Sequence, residues 1–470
     1  MKKTKIIATL GPATFTQNKI RQLMKAGMNV VRINMSHEIE PGLLEDVVHW
    51  IRDEGKSLDK SAAILFDLCG PKIRVGNLQR GAQSIEIQEG NKYSIGYEGC
   101  DIPLNIPLSF STKSKDGLVK VDDGSLSFQI VESGERKLTL LSINSGAIFQ
   151  GKGVNFPGIK LNLPSVTEKD LRDLEQAVKL GADWLAMSFV RSANDLSFIK
   201  EALKGHNVEI PVIAKIEKPE AIEDLGSIIS TFDGILVARG DLGVEMPLQE
   251  LPILQKKIVN ECLLKQKPVI IATQMLETMI HKPNPTRAEV NDIANAIYDG
   301  ADAVMLSGET AIGKYPVESV QIMSKIADSV ERDMDWQNFN RYIHQKAAAK
   351  NDKRSSICHA AMTLSNDLSI QTIVIMTESG QTAIKMAQHR PKAQIYALCS
   401  HKHVFQMLSL IWGITPVLVD SFQSTDEMIL SSGKILKDNN YLKAGDKYII
   451  TAGAPVGVTG TTNLIKIHEV

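Results

Sequence analysis

The chain has 470 residues, enough for about three domains of ~150 residues each. Its 43% hydrophobic and 23% charged residues are typical of a globular protein, and its net charge of -1 argues against a broad nucleic-acid surface. The N-terminal apolar run stops at Gly11-Pro12, no run approaches the ~20 residues of a membrane span, and the five cysteines form no CxxC pair. We therefore expect a cytoplasmic protein that contacts neither nucleic acid nor membrane and keeps its thiols reduced.

Short β-branched runs alternate with amphipathic stretches along most of the chain. The candidate strands are Lys5–Thr9, Val30–Asn34, Ala62–Asp67, Trp184–Phe189, Val212–Glu217, Gly234–Ala238, Pro268–Ala272 and Ala303–Ser307. The candidate helices between them include Asn18–Lys25, Glu168–Leu180, Asp195–Leu203, Pro252–Lys265 and Arg287–Tyr298. Eight strands that alternate with helices predict an α/β fold, a (β/α)8 TIM barrel.

Two segments depart from this rhythm. Between the third strand and Glu168, alternating stretches such as Ser84–Ile87 and Lys137–Leu141 indicate antiparallel β structure. We predict a small β lid over 71–155, inserted between barrel segments 1–70 and 156–335. A polar linker from Asp333 to Arg354 then leads to a C-terminal α/β domain over 350–470. Its predicted elements are helices Ile357–Ser365 and Thr382–Gln388, strands Thr372–Thr377 and Gln394–Leu398, and a last strand Lys447–Thr451.

Polar residues follow seven of the eight predicted barrel strands. The active site of a TIM barrel lies at the carboxyl ends of its strands, so these side chains are candidates for one site. In chain order they include Arg32, Asn34, Ser36, His37, Asp67, Lys72, Arg74, Arg191, Lys215, Glu217, Gly240, Asp241, Thr273 and Ser307. Any one of them could be a strand-end cap or a surface ion pair, but seven strand ends directed at one rim favour a functional site.

The types of residue at this rim indicate phosphoryl transfer. Glu217 and Asp241 follow neighbouring strands, and paired carboxylates suit a hard divalent cation that keeps open positions. Lys215 lies two residues before Glu217, so both side chains point to one face of the strand, and Arg32 and Arg74 add charge for an anion. No Ser-His-Asp set and no cysteine nucleophile is evident. A metal with Arg and Lys is what phosphoryl transfer needs.

Several longer strings resemble the pyruvate kinase family, and the resemblance covers nearly the whole chain. They are Thr4–Ile6 with Gly11-Pro12, Val121–Gly124, Lys152–Asn155, Val212–Glu217, Val237–Glu245, Ala272–Glu277, Pro285–Glu289 and Met305–Ala311. The resemblance implies a cytoplasmic, homotetrameric enzyme of glycolysis that transfers the phosphoryl group of phosphoenolpyruvate to ADP.

The resemblance also implies residue roles. Glu217 and Asp241 would hold Mg2+ or Mn2+, Lys215 would stabilise the phosphoryl group and the enolate oxygen, and Arg32 would hold the phosphate of phosphoenolpyruvate. Substrate would also meet Gly240, and Thr273 and Ser307 would line the site where the enolate carbon is protonated. The residues that would face the nucleotide are Asn34, His37, Arg74 and Lys152.

The monovalent-cation region departs from the family pattern. Asn34, Ser36 and Asp67 occupy positions where many family members coordinate K+. Members that depend on K+ carry Thr and Glu where this chain has Leu68 and Lys72. Leucine offers no hydroxyl to a cation, and a lysine ammonium repels one. We therefore predict that K+ is not required. Glu38 and Ile312 also replace common family residues near the nucleotide, with an effect that the sequence leaves open.

A strand end in the C-terminal domain resembles the family's effector-phosphate loop. The segment Thr377–Thr382 turns at Gly380 and opens a helix, and it offers the hydroxyls of Thr377, Ser379 and Thr382. Backbone N–H groups in such a turn can form a nest for phosphate. Gln381 replaces an arginine of similar bacterial loops, so we expect weak affinity for the effector. We predict activation by a sugar monophosphate or AMP, with fructose 1,6-bisphosphate as the less favoured effector. An ordinary helix cap is the alternative.

Two other functions remain open from the residues. One is a different metal-dependent phosphoenolpyruvate or oxo-acid enzyme on the same barrel, such as a mutase or lyase, which would need neither the lid nor the third domain. The other is a non-catalytic relative that binds sugar phosphates as a regulator. The presence of Lys215, Glu217, Asp241, Thr273 and Ser307 argues against the second.

Overall fold

The computed structural model describes residues 2–78, 82–110, 117–336, 339, 352–455 and 462–470. The chain begins with three parallel strands that alternate with two helices. These are β1 (Lys5–Thr9), α1 (Gln17–Ala26), β2 (Val30–Asn34), α2 (Pro41–Ser57) and β3 (Ala63–Leu68). Helix α1 begins where the Thr16 side chain accepts a hydrogen bond from the Lys19 amide, and it ends at Gly27, whose φ of 121° favours glycine. The first two strands have the predicted bounds.

Eight short strands interrupt the barrel after β3. They are β4 (Ser84–Ile87), β5 (Lys92–Gly96), β6 (Ile102–Pro103), β7 (Leu118–Val121), β8 (Leu126–Ser133), β9 (Lys137–Ser142), β10 (Gly146–Phe149) and β11 (Val154–Asn155). Six of them form a sheet in the order β11-β7-β8-β9-β5-β6, and β4 pairs with β10. Alternate residues such as Phe128 and Ile130 of β8 are fully buried between these strands, which is the pattern of a half-buried sheet.

The second part of the barrel follows the inserted strands. Its strands are β12 (Trp184–Met187), β13 (Val212–Ile216), β14 (Gly234–Ala238), β15 (Val269–Ala272) and β16 (Ala303–Leu306). Its helices are α3 (Glu168–Lys179), α4 (Leu196–Lys204), α5 (Pro219–Glu223), α6 (Leu225–Thr231), α7 (Arg239–Glu245), α8 (Leu251–Lys265), α9 (Arg287–Tyr298), α10 (Gly308–Ala311) and α11 (Pro316–Asp333). All eight barrel strands are parallel, and β16 pairs with β1 to close the barrel, so the TIM-barrel prediction is confirmed.

The C-terminal elements form a five-stranded sheet with helices. They are α12 (Lys353–Asp367), β17 (Thr372–Met376), α13 (Gln381–Gln388), β18 (Gln394–Cys399), α14 (Lys402–Met407), β19 (Ile414–Leu418), α15 (Thr425–Asp438), β20 (Lys447–Gly453) and β21 (Thr462–Glu469). The strand order is β19-β18-β17-β20-β21. The prediction that Lys447–Thr451 is the last strand is wrong, because β21 follows and pairs antiparallel with it. The predicted polar linker lies largely outside the described residues.

The C-terminal domain packs against the amino-terminal end of the barrel. Lys3 donates from Nζ to the carbonyl oxygens of Pro391, Lys392 and Ala393 at 2.6, 2.6 and 3.0 Å. Arg390 and Asp302 form an ion pair at 3.1 Å with both side chains almost fully buried. One cluster of buried apolar residues runs from the barrel interior into the C-terminal sheet. In the described part of the chain, no helix is both long and apolar enough to cross a membrane.

Candidate active site

Three charged side chains meet at the carboxyl-end mouth of the barrel. Arg32 on β2 donates to Asp67 Oδ2 on β3, at 2.7 Å from Nε and 2.6 Å from Nη2. Lys215 on β13 places Nζ 3.2 Å from Asp67 Oδ1. Arg32 also donates from Nη1 to the Thr9 hydroxyl at 3.0 Å. Asp67 is 1% exposed. Because its two carboxylate oxygens bind Arg32 and Lys215, it holds these two side chains beside each other in the mouth.

Lys215 is also held by two groups on the other side. Its Nζ lies 2.9 Å from Glu217 Oε1 and donates to the Ser188 hydroxyl at 2.7 Å. Burial alone would lower the pKa of Lys215, but Asp67 and Glu217 raise it above its ordinary value. Burial would likewise raise the pKa of Asp67, yet Lys215 and Arg32 hold it below its usual range. The Lys215 ammonium and the Asp67 carboxylate therefore stay ionised at neutral pH.

Glu217 is the predicted metal ligand that the fold places deepest. It is 1% exposed, and its Oε2 accepts a hydrogen bond from the Phe189 amide at 2.8 Å. Burial raises the pKa of Glu217, and the nearby charge of Asp241 raises it further, although Lys215 acts in the opposite direction. Two carboxylates that repel each other in this way are stabilised by a divalent cation.

The residues present fit such a cation with part of its coordination left open. Among the described residues, no group of three or more His, Cys, Asp or Glu side chains is placed to hold a metal ion. Glu217 and Asp241 would therefore supply two oxygens, and the remaining positions would be filled by water and substrate oxygens. Mg2+ commonly binds to proteins in this way, through one or two carboxylates and substrate phosphates.

Asp241 lies in the first turn of α7, which begins directly after β14. The preceding residue, Gly240, donates its amide to the Thr273 hydroxyl at 2.7 Å. Lys72, just after β3, places Nζ 3.5 Å from Asp241 Oδ1. The predicted metal ligand, two predicted substrate contacts and the unusual lysine therefore lie next to each other.

Thr273 and Ser307 follow β15 and β16 on the far side of the mouth. Thr273 has a φ of 70°, which is uncommon for a β-branched residue and fixes the direction of its side chain. Arg239 anchors this turn, since its Nη2 donates to the Thr273 carbonyl at 2.8 Å while Nη1 pairs with Asp292 at 2.7 Å. The Ser307 amide donates to Glu309 Oε2 at 2.7 Å, and both Thr273 and Ser307 are half-buried.

The predicted nucleotide residues are less closely grouped. Arg74 donates from Nη1 to the Gly151 carbonyl at 2.9 Å, and Lys152 pairs with Asp122 of the inserted strands at 2.9 Å. Asn34 Oδ1 accepts a hydrogen bond from the Ser36 amide at 3.1 Å. His37 is exposed on the same loop, and burial of part of its ring, followed by the charges of Arg74, Arg32 and Lys72, lowers its pKa.

Two further predicted regions have clear local structure. Leu68 is 2% exposed and packs into the barrel core, so its side chain is not directed at the mouth as a ligand. In the C-terminal loop the Gly380 amide donates to the Thr377 hydroxyl at 2.9 Å, and the hydroxyls of Thr382 and Thr462 lie 2.7 Å apart. Thr377 and Thr382 are buried, whereas Ser379 is exposed.

Sequence reasoning missed two residues of this site and one anchor. Asp67 was assigned only to the monovalent-cation region, yet it contacts both Arg32 and Lys215. Ser188, which contacts Lys215, and Arg239, which anchors the Thr273 turn, had no assigned role. A carboxylate in the fully buried stretch of β3 was an available signal, because a buried charge requires partners.

The closed parallel barrel carries buried cations and a carboxylate pair at the carboxyl ends of its strands, where TIM-barrel enzymes have their active sites. This arrangement places the chain in the class of TIM-barrel enzymes. Comparison with known proteins narrows this class. The family model "Pyruvate kinase, barrel domain" matches residues 1–320, and "Pyruvate kinase, alpha/beta domain" matches residues 355–468. The chain belongs to the pyruvate kinase family and is a phosphotransferase.

Curated relatives and a solved structure agree with this. The chain is 40% identical to a pyruvate kinase of Geobacillus stearothermophilus, over all of this chain and 80% of the relative. It is 39% identical to a pyruvate kinase of Staphylococcus aureus, over all of this chain and 81% of the relative. The crystal structure of a pyruvate kinase from Cryptosporidium parvum is similar with a TM-score of 0.92 and 31% identity, over all of this chain and 96% of that one.

Proposed function

We propose that the chain transfers the phosphoryl group of phosphoenolpyruvate to ADP at the rim described above, giving pyruvate and ATP in the last step of glycolysis. The observation that carries this proposal is the position of Lys215. Its ammonium lies between Asp67 and Glu217, and Asp67 holds Arg32 beside it. A cation fixed before substrate arrives needs no reorganisation when negative charge develops in the transition state.

Each side chain has a definite task in this proposal. Arg32 binds the phosphate of phosphoenolpyruvate. The turn of Gly240 and Thr273, closed by the bond from the Gly240 amide to the Thr273 hydroxyl, lies at the carboxylate end of the substrate. Lys215 stabilises the phosphoryl group as its bond to the enol oxygen breaks and a bond to an oxygen of ADP forms. The enolate that leaves is protonated on carbon from the side of Thr273 and Ser307. A Mg2+ or Mn2+ on Glu217 and Asp241 supplies charge neutralisation when bound.

The nucleotide is proposed to bind between the barrel mouth and the inserted strands, near Asn34, His37, Arg74 and Lys152. Arg74 lies in the connection from β3 to the inserted strands, here called the hinge, and Lys152 lies between β10 and β11, so their distance from the barrel depends on the position of the lid. This arrangement suits a site that closes over substrate and excludes water.

A coupled assay with lactate dehydrogenase tests the reaction. We expect pyruvate to form from phosphoenolpyruvate only when ADP and a divalent cation are both present. A lyase or mutase of the same barrel would act without ADP, and a non-catalytic relative would form no pyruvate. Either result would contradict the proposal.

We further propose that Lys72 replaces K+ in this site. Its ammonium lies 3.5 Å from the carboxylate of Asp241, and Leu68 turns its apolar side chain into the core. Asp67, which would have to face K+, already binds Arg32 and Lys215. A K+ about 5 Å from the lysine ammonium would be repelled by roughly 3 kcal/mol at an effective dielectric of ~20.

Removal of K+ tests the role of Lys72. We expect full activity with Mg2+ in buffers that contain tetramethylammonium and no K+. The double change Leu68→Thr with Lys72→Glu should lower this activity sharply, and added K+ should restore part of it. At equal ionic strength, stimulation of the unchanged enzyme by K+ of about tenfold or more, which corresponds to roughly 1.4 kcal/mol, would overturn the proposal.

The turn at Gly380 is proposed to bind the phosphate of a sugar monophosphate or AMP and to activate the enzyme. Ser379 is exposed at the tip of the turn, directly before the amides that open α13. The carboxylate of Glu378 is bound elsewhere, because it accepts a hydrogen bond from the Ser400 hydroxyl at 2.7 Å and lies 3.2 Å from His401. We expect glucose 6-phosphate or AMP to lower the phosphoenolpyruvate concentration at half-saturation, and Ser379→Ala to weaken that effect. A loop that is only structural would show neither.

Three broader assignments complete the proposal. Domain boundaries are placed at 1–70, 71–155, 156–335 and 350–470, in keeping with the change from parallel to antiparallel pairing after β3 and back at β12. A homotetramer and a cytoplasmic location are inferred from the family. The proposed substrates are small molecules, with no nucleic acid or membrane as partner.

A further inference from the structure

Three side chains from the inserted segment and its hinge contact one short helix of the barrel. Lys72 reaches the first turn of α7 at Asp241, 3.5 Å away. Lys120 on β7 donates from Nζ to the Val244 carbonyl in the last turn at 2.7 Å. Asn155 on β11 donates from Nδ2 to Glu245 Oε1 at 2.7 Å.

Lys120 and Asn155 are neighbours on the inserted sheet. The two residues are direct partners in the antiparallel pairing of β7 with β11. Residues opposite each other in such a pair project from the same face of the sheet, so both side chains reach the barrel together. Both are half-buried by this contact.

Helix α7 needs such support at its carboxyl end. It has seven residues, and a helix of this length is not stable without tertiary contacts. Its last carbonyl groups lack partners within the helix, and a cation is favourable at this end of the helix dipole. Lys120 supplies both a donor and a positive charge to the Val244 carbonyl.

Glu245, at the end of α7, is neutralised by a lysine. Glu245 is 7% exposed, and its Oε1 lies 2.5 Å from Nζ of Lys218, which follows the predicted metal ligand Glu217 in the chain. Asn155 donates to the same oxygen. The last turn of α7 is therefore fixed both to the loop after β13 and to the inserted sheet.

We propose that Lys120 and Asn155 are positioning residues that fix α7 when the inserted sheet lies on the barrel, and so orient Gly240 and Asp241 about one turn away. This inference rests on the proposed role of Asp241 as a metal ligand.

The test compares Lys120→Met with Lys137→Met. Methionine keeps an apolar stem but removes the donor and the charge, and Lys137 is an exposed lysine of β9 on the same sheet. Mn2+ binding to the substrate-free enzyme is measured by electron paramagnetic resonance, together with kcat. We expect Lys120→Met to raise the Kd for Mn2+ by about fivefold or more and to lower kcat, whereas Lys137→Met changes neither. Lys120→Arg, which keeps a donor and a charge, should restore most of both.

Two outcomes would overturn the inference. Mn2+ affinity of Lys120→Met within twofold of the unchanged enzyme would show that α7 does not depend on this contact. A change confined to the KM for ADP would make Lys120 a nucleotide contact instead. Asp241→Asn separates this inference from the function on which it rests: if that variant binds Mn2+ normally, the proposed metal site itself is wrong.

Discussion

Removal of the Lys215 ammonium should lower kcat more than it weakens metal binding. The variant Lys215→Met keeps a buried stem of similar length but removes the ammonium that lies between Asp67 and Glu217. Loss of one preorganised charged contact at the reacting group costs about 3–4 kcal/mol, so we expect kcat to fall by at least about 10²–10³-fold. Steady-state kinetics and Mn2+ binding measure the two effects separately, and metal binding should persist.

The matched control is Lys179→Met, an exposed lysine on α3 that pairs with Glu45 on the barrel surface. It should leave kcat and metal binding unchanged, since surface ion pairs contribute little. A Lys215→Met enzyme that keeps more than a tenth of the original kcat would contradict the assignment.

Residue by residue, the sequence predicted which groups reach the rim but not how they pair. Arg32, Lys215 and Glu217 lie at strand ends, and the (β/α)8 pattern directs strand ends to one mouth. That Asp67 binds two of these cations depends on the stagger of neighbouring strands, as in the register that sets Asn34 beside Asp67. Spacing along one chain does not determine this register, so the central role of Asp67 was not predicted.

At the scale of elements, the first turn of α3 ties together both connections between the barrel and the inserted strands. Asp170 Oδ1 accepts a hydrogen bond from the Gly70 amide at 2.9 Å, on the outgoing connection. Its Oδ2 accepts from the amide and the hydroxyl of Thr167, at 2.8 and 2.6 Å, on the returning one. Gly70 has a φ of 68°, and a Cβ there would approach Phe189 to 2.9 Å. The hinge therefore requires glycine at this position.

Two substitutions separate the hinge role of Asp170 from its role as a helix cap. Asp170→Ala removes the bond to Gly70 and the cap, whereas Thr167→Val removes only the hydroxyl of the cap. Both should cost about 1 kcal/mol of stability, measured by thermal denaturation. Only Asp170→Ala should raise the KM for ADP, by about tenfold, because the inserted strands would be misplaced while Arg32 and Lys215 stay on the barrel. Equal KM values for ADP in the two variants would contradict the hinge role.

Element bounds were predicted best where burial makes the pattern unambiguous. Strands β1 and β14, which are buried throughout, and β2, which is buried except at Asn34, have the predicted limits. Strand β21 was missed because it lies at the edge of its sheet, where no residue of the strand is fully buried and the half-buried positions do not alternate regularly. Helices α14 and α15 and strand β19 were missed in the same C-terminal region.

For the whole molecule, the active site and the proposed effector turn lie on opposite sides of the barrel. The C-terminal domain closes the amino-terminal end, where Lys3 and the buried pair of Arg390 with Asp302 join the two. The indole N–H of Trp184 on β12 donates to the Met407 carbonyl at 3.0 Å. The C-terminal domain therefore contacts the start of a barrel strand whose other end lies at the catalytic mouth. The sequence patterns predicted both domains but not the contacts between them.

The shared core across that seam limits how this protein can be recombined with its relatives. A chimera that took its last domain from a relative of about 40% identity would have to keep in place the backbone carbonyls that Lys3, Lys5 and Trp184 contact. Lys5 would lose the Ile414 carbonyl that its ammonium contacts at 2.6 Å if the grafted loop ran differently, and an unmatched buried ammonium is costly. A transferred C-terminal domain therefore has to match the first residues of the chain as well as Trp184 and Asp302 of the barrel.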